Sequence, residues 1–173
     1  MKNIKIFIYS FIFLINSNLC LSQNIFYADL ETVIKKSIAG KKITTHFDNK
    51  NKILLNEIKD FEIQVKKKEE TIISQKNIIQ SDEYLKKINL LNAEVKNFNT
   101  SSNDRINQIN INKNKTLNSL MLEINKILKQ FAEQNKIDII LNSNQMLIGK
   151  SNLDITNELL QMVDESLKNF EIK

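Results

Sequence analysis

The sequence predicts a mainly α protein with a small β base, in which a long antiparallel helical hairpin, a coiled-coil tentacle, is inserted between strands from the two ends of the chain. Three observations carry this. Pro is absent and Gly occurs only twice in 173 residues, so almost nothing can break a helix from within. Two long stretches repeat apolar residues in steps of three and four, the seam of a coiled coil. Apolar runs of strand length lie on either side of those stretches, at 24–30 and 136–149.

At the N-terminus, Lys2 and Lys5 precede an apolar run, Ile6 to Ile15, and small residues at Cys20 and Ser22 stand at −3 and −1 before Gln23. Residues 1–22 therefore read as a secretory signal peptide cleaved near Ser22, too short to span a bilayer comfortably. Lipoprotein processing at Cys20 would want a small residue before it, where Leu19 stands. Cleavage at Ser22 removes the only cysteine, so no disulfide can hold the mature chain.

Asn24 to Leu30 reads as a strand. Asp29 can cap a short helix, Leu30 to Ile38, with Gly40 as its C-cap or a tolerated bend. The outgoing arm then carries Phe47, Leu54, Ile58, Phe61, Val65, Ile72 and Ile79, which fill seven of ten seam positions; Asn51, Lys68 and Gln75 miss. Residues 80–83 form the tip, with Ser81 or Asp82 as N-cap of the returning helix. Its seam runs Tyr84, Ile88, Leu91, Val95 and Phe98, weakens over 99–116, and recovers at Leu120, Ile124, Ile127 and Phe131. The surplus length of the returning helix is expected beside the base. Lys136 to Leu141 reads as a buried strand, Gln145 to Gly149 as a second one, and Thr156 as the N-cap of a terminal amphipathic helix carrying Leu159, Leu160, Val163 and Leu167.

The division expected is a base from 23–40 and 136–173 and an arm from 41–135. Such a base is too small to stand alone and leaves strand edges open, which points to several copies closing their sheets together. Its assembly residues are expected to be Ile25, Tyr27, Leu30, Ile137, Ile139, Leu141 and Leu147.

Catalysis finds little support. His46 is the only histidine, no metal-ligand constellation accompanies it, and two isolated glycines make no phosphate loop. No enzyme activity and no cofactor are expected. Charge is uneven: residues 41–136 carry 18 Lys plus Arg against 12 Asp plus Glu, whereas 137–173 carry 3 against 6. Lys66, Lys67, Lys68, Lys86, Lys87, Arg105, Lys113 and Lys115 would set a positive field along the arm, suited to acidic clients and to transient contact with a membrane surface. Nucleic acid is not an expected partner, because the arm lacks interleaved aromatics for base stacking. Leu55, Ile63, Ile73, Ile78, Leu90 and Ile111 fit neither seam; they either broaden the hairpin interface or face a client.

Four stretches in this order resemble the Skp/OmpH family of periplasmic chaperones. They are Ile25-Phe26-Tyr27-Ala28-Asp29-Leu30, Ser37-Ile38-Ala39-Gly40-Lys41, Lys136-Ile137-Asp138-Ile139-Ile140-Leu141 and Leu153-Asp154-Ile155-Thr156. The resemblance spans essentially the whole chain after residue 22. It implies a homotrimer with a β-barrel-like body and three tentacles enclosing a cavity that holds unfolded outer-membrane proteins without ATP. The arm is richer in Asn and poorer in Arg and Ala than the family, and no lipopolysaccharide-binding cluster can be matched. The rival reading is a secreted structural coiled coil that spaces envelope components.

Overall fold

The computed structural model describes residues 23–172; the signal peptide expected over 1–22 lies outside them. Strand β1 (Ile25–Ala28) pairs in parallel with β2 (Ile139–Asn142), in the register Ile25 with Ile139 and Ala28 with Asn142. A parallel pair needs a crossover, and the whole hairpin supplies it. The register is pinned from outside the ladder. The Asn24 backbone N–H donates to Asp138 Oδ2 at 2.9 Å, and the Asp138 N–H donates back to the Asn24 carbonyl at 3.0 Å. Alternation then divides the ribbon. Phe26, Ala28 and Ile140 pack on the core, while Ile25, Tyr27, Ile139 and Leu141 take the other face.

Helix α1 (Leu30–Lys36) starts where Asp29 caps it: its carboxylate accepts the Thr32 N–H at 2.9 Å and the Thr32 hydroxyl at 2.7 Å. The chain turns at Ser37, whose extended backbone ends α1 and whose hydroxyl accepts the Gly40 N–H at 3.1 Å to cap α2. Gly40 is thus neither C-cap nor bend. It lies inside the first turn of α2, buried, where an added Cβ would stand 1.6 Å from the Ile34 carbonyl oxygen. Glycine is required there by close helix approach, and the break belongs to Ser37.

Helices α2 (Ile38–Ser74) and α3 (Ser81–Asn135) form the hairpin; at 1.5 Å per residue they are roughly 55 and 82 Å long. The turn covers 75–80, and α3 is entered from Gln80, so neither Ser81 nor Asp82 is the cap; both already lie within the helix. The helices run antiparallel, with Phe61 stacked on Phe98 at 3.7 Å between ring centroids. Leu54, Ile72 and Leu91 bury on the heptad seam. Through the weak stretch the helix is uninterrupted, and small side chains, Ser102 and Thr116, occupy the buried positions there.

The core sits at the hairpin root. Ala28, Val33, Ala39, Ile43 and Phe47 meet Leu120, Ile124 and Ile127 of α3 and Ile155, Leu159 and Val163 around α4 (Thr156–Ser166). The stretch of α3 past Ile124, about a fifth of its length, is therefore the surplus that runs beyond α2 into the base.

Both strands are shorter than expected and a third does not form. Strand β1 stops at Ala28, because Asp29 caps α1 and Leu30 opens it. Strand β2 begins at Ile139, because Lys136 turns into the left-handed region at φ 52° to end α3 and the Ile137 N–H is still taken by the Ala132 carbonyl. Residues 145–149 form no strand. The Asn142 side chain accepts the Asn144 N–H at 3.3 Å, and the chain leaves the sheet in a short 3₁₀ turn, Ser143–Gln145. Thr156 is also not the cap of α4: Ile155 holds that position. The Thr156 hydroxyl instead accepts the Asp29 N–H at 2.9 Å and donates to Asp154 Oδ1 at 2.5 Å, tying α4 to the first strand.

Candidate functional site

Two surfaces are left over once the core is made. The first is the base ribbon. Ile25, Ile139 and Leu141 are exposed, Tyr27 is half-buried, and Leu147 and its neighbour Ile148 stand out almost fully in the loop after β2. Leu30 and Ile137 behave differently: both are half-buried, and Leu30 packs on the core. Among the described residues β2 pairs only with β1, while Tyr27 makes a single further bridge to Asp154, so the outer edge of β2 is open. An open edge beside exposed aliphatic side chains is a template for another chain.

The second surface is the arm. Leu55, Ile63, Ile73, Leu90 and Ile111 are all exposed on the helices, and Ile78 is exposed in the turn. They do not converge on one patch. Leu55 and Ile73 lie five turns apart on one flank of α2, Ile63 lies further round, and Leu90 borders a groove between the helices near the tip. Ile38, Ile53, Leu85 and Leu122 are equally exposed and were not singled out by sequence. Their signal was present: Ile53 and Leu85 each stand next to a seam residue, Leu54 and Tyr84, so they fall on the flank of the interface rather than in it.

The cations separate into two groups. Lys68 reaches Glu94 at 2.6 Å, Arg105 reaches Glu57 at 2.5 Å and Lys113 reaches Asp48 at 3.4 Å, each across the hairpin. Lys87 lies 3.5 Å from Glu83 and donates to Gln75 Oε1 at 2.8 Å. The Arg105 guanidinium holds the Glu57 carboxyl below its ordinary range, through the hydrogen bond first and its charge second. These four basic residues are spent largely on the register of the two helices. Lys66, Lys67, Lys86 and Lys115 make no ion pair among the described residues.

His46 stands half-buried, edge-on to Phe47 with centroids 5.0 Å apart. Among the described residues no group of three or more His, Cys, Asp or Glu could hold a metal ion, and no helix is long and apolar enough to cross a membrane. What the arrangement can do is bind: an edge and an apolar face at one end, and aliphatic and basic side chains along a rod.

Comparison with known proteins agrees with this geometry. The fold is similar to the crystal structure of a candidate outer membrane chaperone (OmpH-like) from Caulobacter crescentus CB15, with a TM-score of 0.81 at 15% identity over 86% of this chain and 88% of that one. No curated protein matches in sequence. The family model of the outer membrane protein (OmpH-like) group matches residues 24–163, from the residue before β1 to the last turns of α4. The chain belongs to the OmpH-like family.

Proposed function

We propose that this chain is an ATP-independent holding chaperone of the periplasm, which binds unfolded outer-membrane proteins between helical arms and keeps them from aggregating. The observation that carries the reading is a rod some 55 Å long that projects from a small core and keeps aliphatic side chains exposed along it. A coiled coil built only as a spacer gains nothing from exposed Ile53, Leu90 and Leu122. Scattered apolar contacts, each weak, suit a protein that holds many sequences and binds through their sum.

The base assembles as a homotrimer in this reading, through the outer edge of β2 and the apolar face of Ile25, Tyr27, Ile139 and Leu141, with Leu147 in the loop beside them. Three arms then surround a cavity. Lys66, Lys67 and Lys86 raise the rate at which acidic segments are captured, and the same charges fit transient contact with an anionic membrane surface. Release needs no nucleotide; a better folding partner takes the client. The test is aggregation of a urea-denatured outer-membrane β-barrel on dilution. Scattering should fall to near baseline at one trimer per client, while no suppression at several-fold excess would leave a structural spacer.

A further inference from the structure

The proposed holding activity leaves open which side of the hairpin meets the client. The geometry points to one: a trough along the side of α3 that carries Leu90, Asn97, Ser101, Gln108, Asn112 and Leu122, taking an extended, acidic stretch of polypeptide. This deepens the chaperone reading and rests on it.

Three grooves of about 460, 700 and 1100 Å³ succeed one another from tip to root. Leu90 lines the first and Leu122 the third, while Asn112 lines both the middle and the root groove, where the two adjoin. The C-terminal segment Leu167–Glu171 walls the root end, held where Lys42 Nζ donates to the Phe170 carbonyl at 3.1 Å. Ile53 of α2 forms the opposite wall at mid-arm. Ile53, Leu90 and Leu122 are 59, 62 and 63% exposed, so the trough is aliphatic at intervals and open to a partner. Leu55 stands on the other flank of buried Leu54, about 160° round the helix from Ile53, and does not line it.

The lining selects the occupant. Amides and hydroxyls at Asn97, Ser101, Gln108 and Asn112 both donate and accept, which matches the unpaired N–H and C=O groups of a chain without secondary structure. A lipid tail would want an apolar wall throughout, and a phosphodiester would want cations alone. Of the five cations that line the tip and middle grooves, Lys68, Lys87 and Arg105 already pair with Glu94, Glu83 and Glu57, which leaves Lys50 and Lys67 to favour acidic segments there. From Leu90 to Leu122 the helix rises roughly 48 Å, room for about fourteen residues of extended chain. Polar side chains recur on this side of α3 about every 5.5 Å, whereas an extended chain repeats every two residues, about 6.8 Å. The two periods do not match, so no client register is singled out and many sequences are held equally.

The test places a photo-crosslinking residue singly at Ile53, Leu90 and Leu122, and at Leu55, Ile63 and Ile73 on other sides, in the full-length oligomer. The probe is a urea-denatured outer-membrane barrel, and suppression of its aggregation is measured for every variant. Adducts at the three trough positions should exceed those at the other three at least threefold while suppression stays at the wild-type level. Equal or reversed yields with suppression intact overturn the trough and leave the chaperone reading standing. Loss of suppression in the unsubstituted protein overturns the chaperone reading itself.

Discussion

Single residues divide by whether their job is packing, capping or contact. Leu54 is almost wholly buried on the seam. Leu54→Ala should lower unfolding stability by about 2–5 kcal/mol, read from urea denaturation. Leu55→Ala, one residue on and 61% exposed, should change it by less than about 0.5 kcal/mol. Asp29 caps α1, and the hydrogen bonds from Thr32 hold its carboxyl below the ordinary 3.8. A depressed carboxylate stabilises the fold above its unfolded value and loses that contribution as pH falls through the folded one. Asp29→Ala should therefore cost about 1 kcal/mol at pH 7, with the difference from wild type shrinking once the pH drops below about 4. Equal differences at pH 7 and pH 3 in thermal melts would show that the cap is not what the carboxylate supplies. The sequence already showed the seam residues and this cap, because both depend on local spacing. It did not show Ile53 or Leu122 as exposed, because exposure is set by which flank the partner helix leaves uncovered.

At the level of elements, the long helices were legible and the junctions were not. Absence of Pro and a three-four repeat suffice for α2 and α3. The α1–α2 break is decided by a tertiary contact instead, since Gly40 is demanded by the Ile34 carbonyl of another helix and Ser37 supplies both the turn and the cap. Gly40→Ala should accordingly destabilise the base by about 1–3 kcal/mol, although alanine is the better helix former. A neutral or stabilising result in the same denaturation assay would mean that α1 can move freely away from the arm. The 145–149 run misled because it is apolar enough for a strand; the Asn142 side chain and the 3₁₀ turn after it carry the chain away from the open edge of β2, and Leu147 and Ile148 are left outside. Apolar residues that look like core in a sequence can be the surface of an assembly.

For the whole molecule, the same reasoning joins base to arm. A two-stranded ribbon is marginal by itself, and here its outer edge is open and its second face stays exposed at Ile25, Ile139 and Leu141, with Gly149 against the Tyr27 ring. Sister chains that cover them would leave the hairpins projecting from a common body, which is the condition for several weak sites to act on one client. Ile139→Lys, which puts a charge in the middle of the exposed ribbon face, should dissociate the assembly and with it abolish suppression of aggregation. Charge reversal at Lys66 and Lys67 should leave assembly intact and slow client capture several-fold at low salt, an effect that shrinks above about 0.3 M salt. The most direct check on the central claim is the mass of residues 23–173 in dilute solution by light scattering. Three chains per particle are expected, falling to one in Ile139→Lys; a well-folded monomer of the unsubstituted chain would contradict the account.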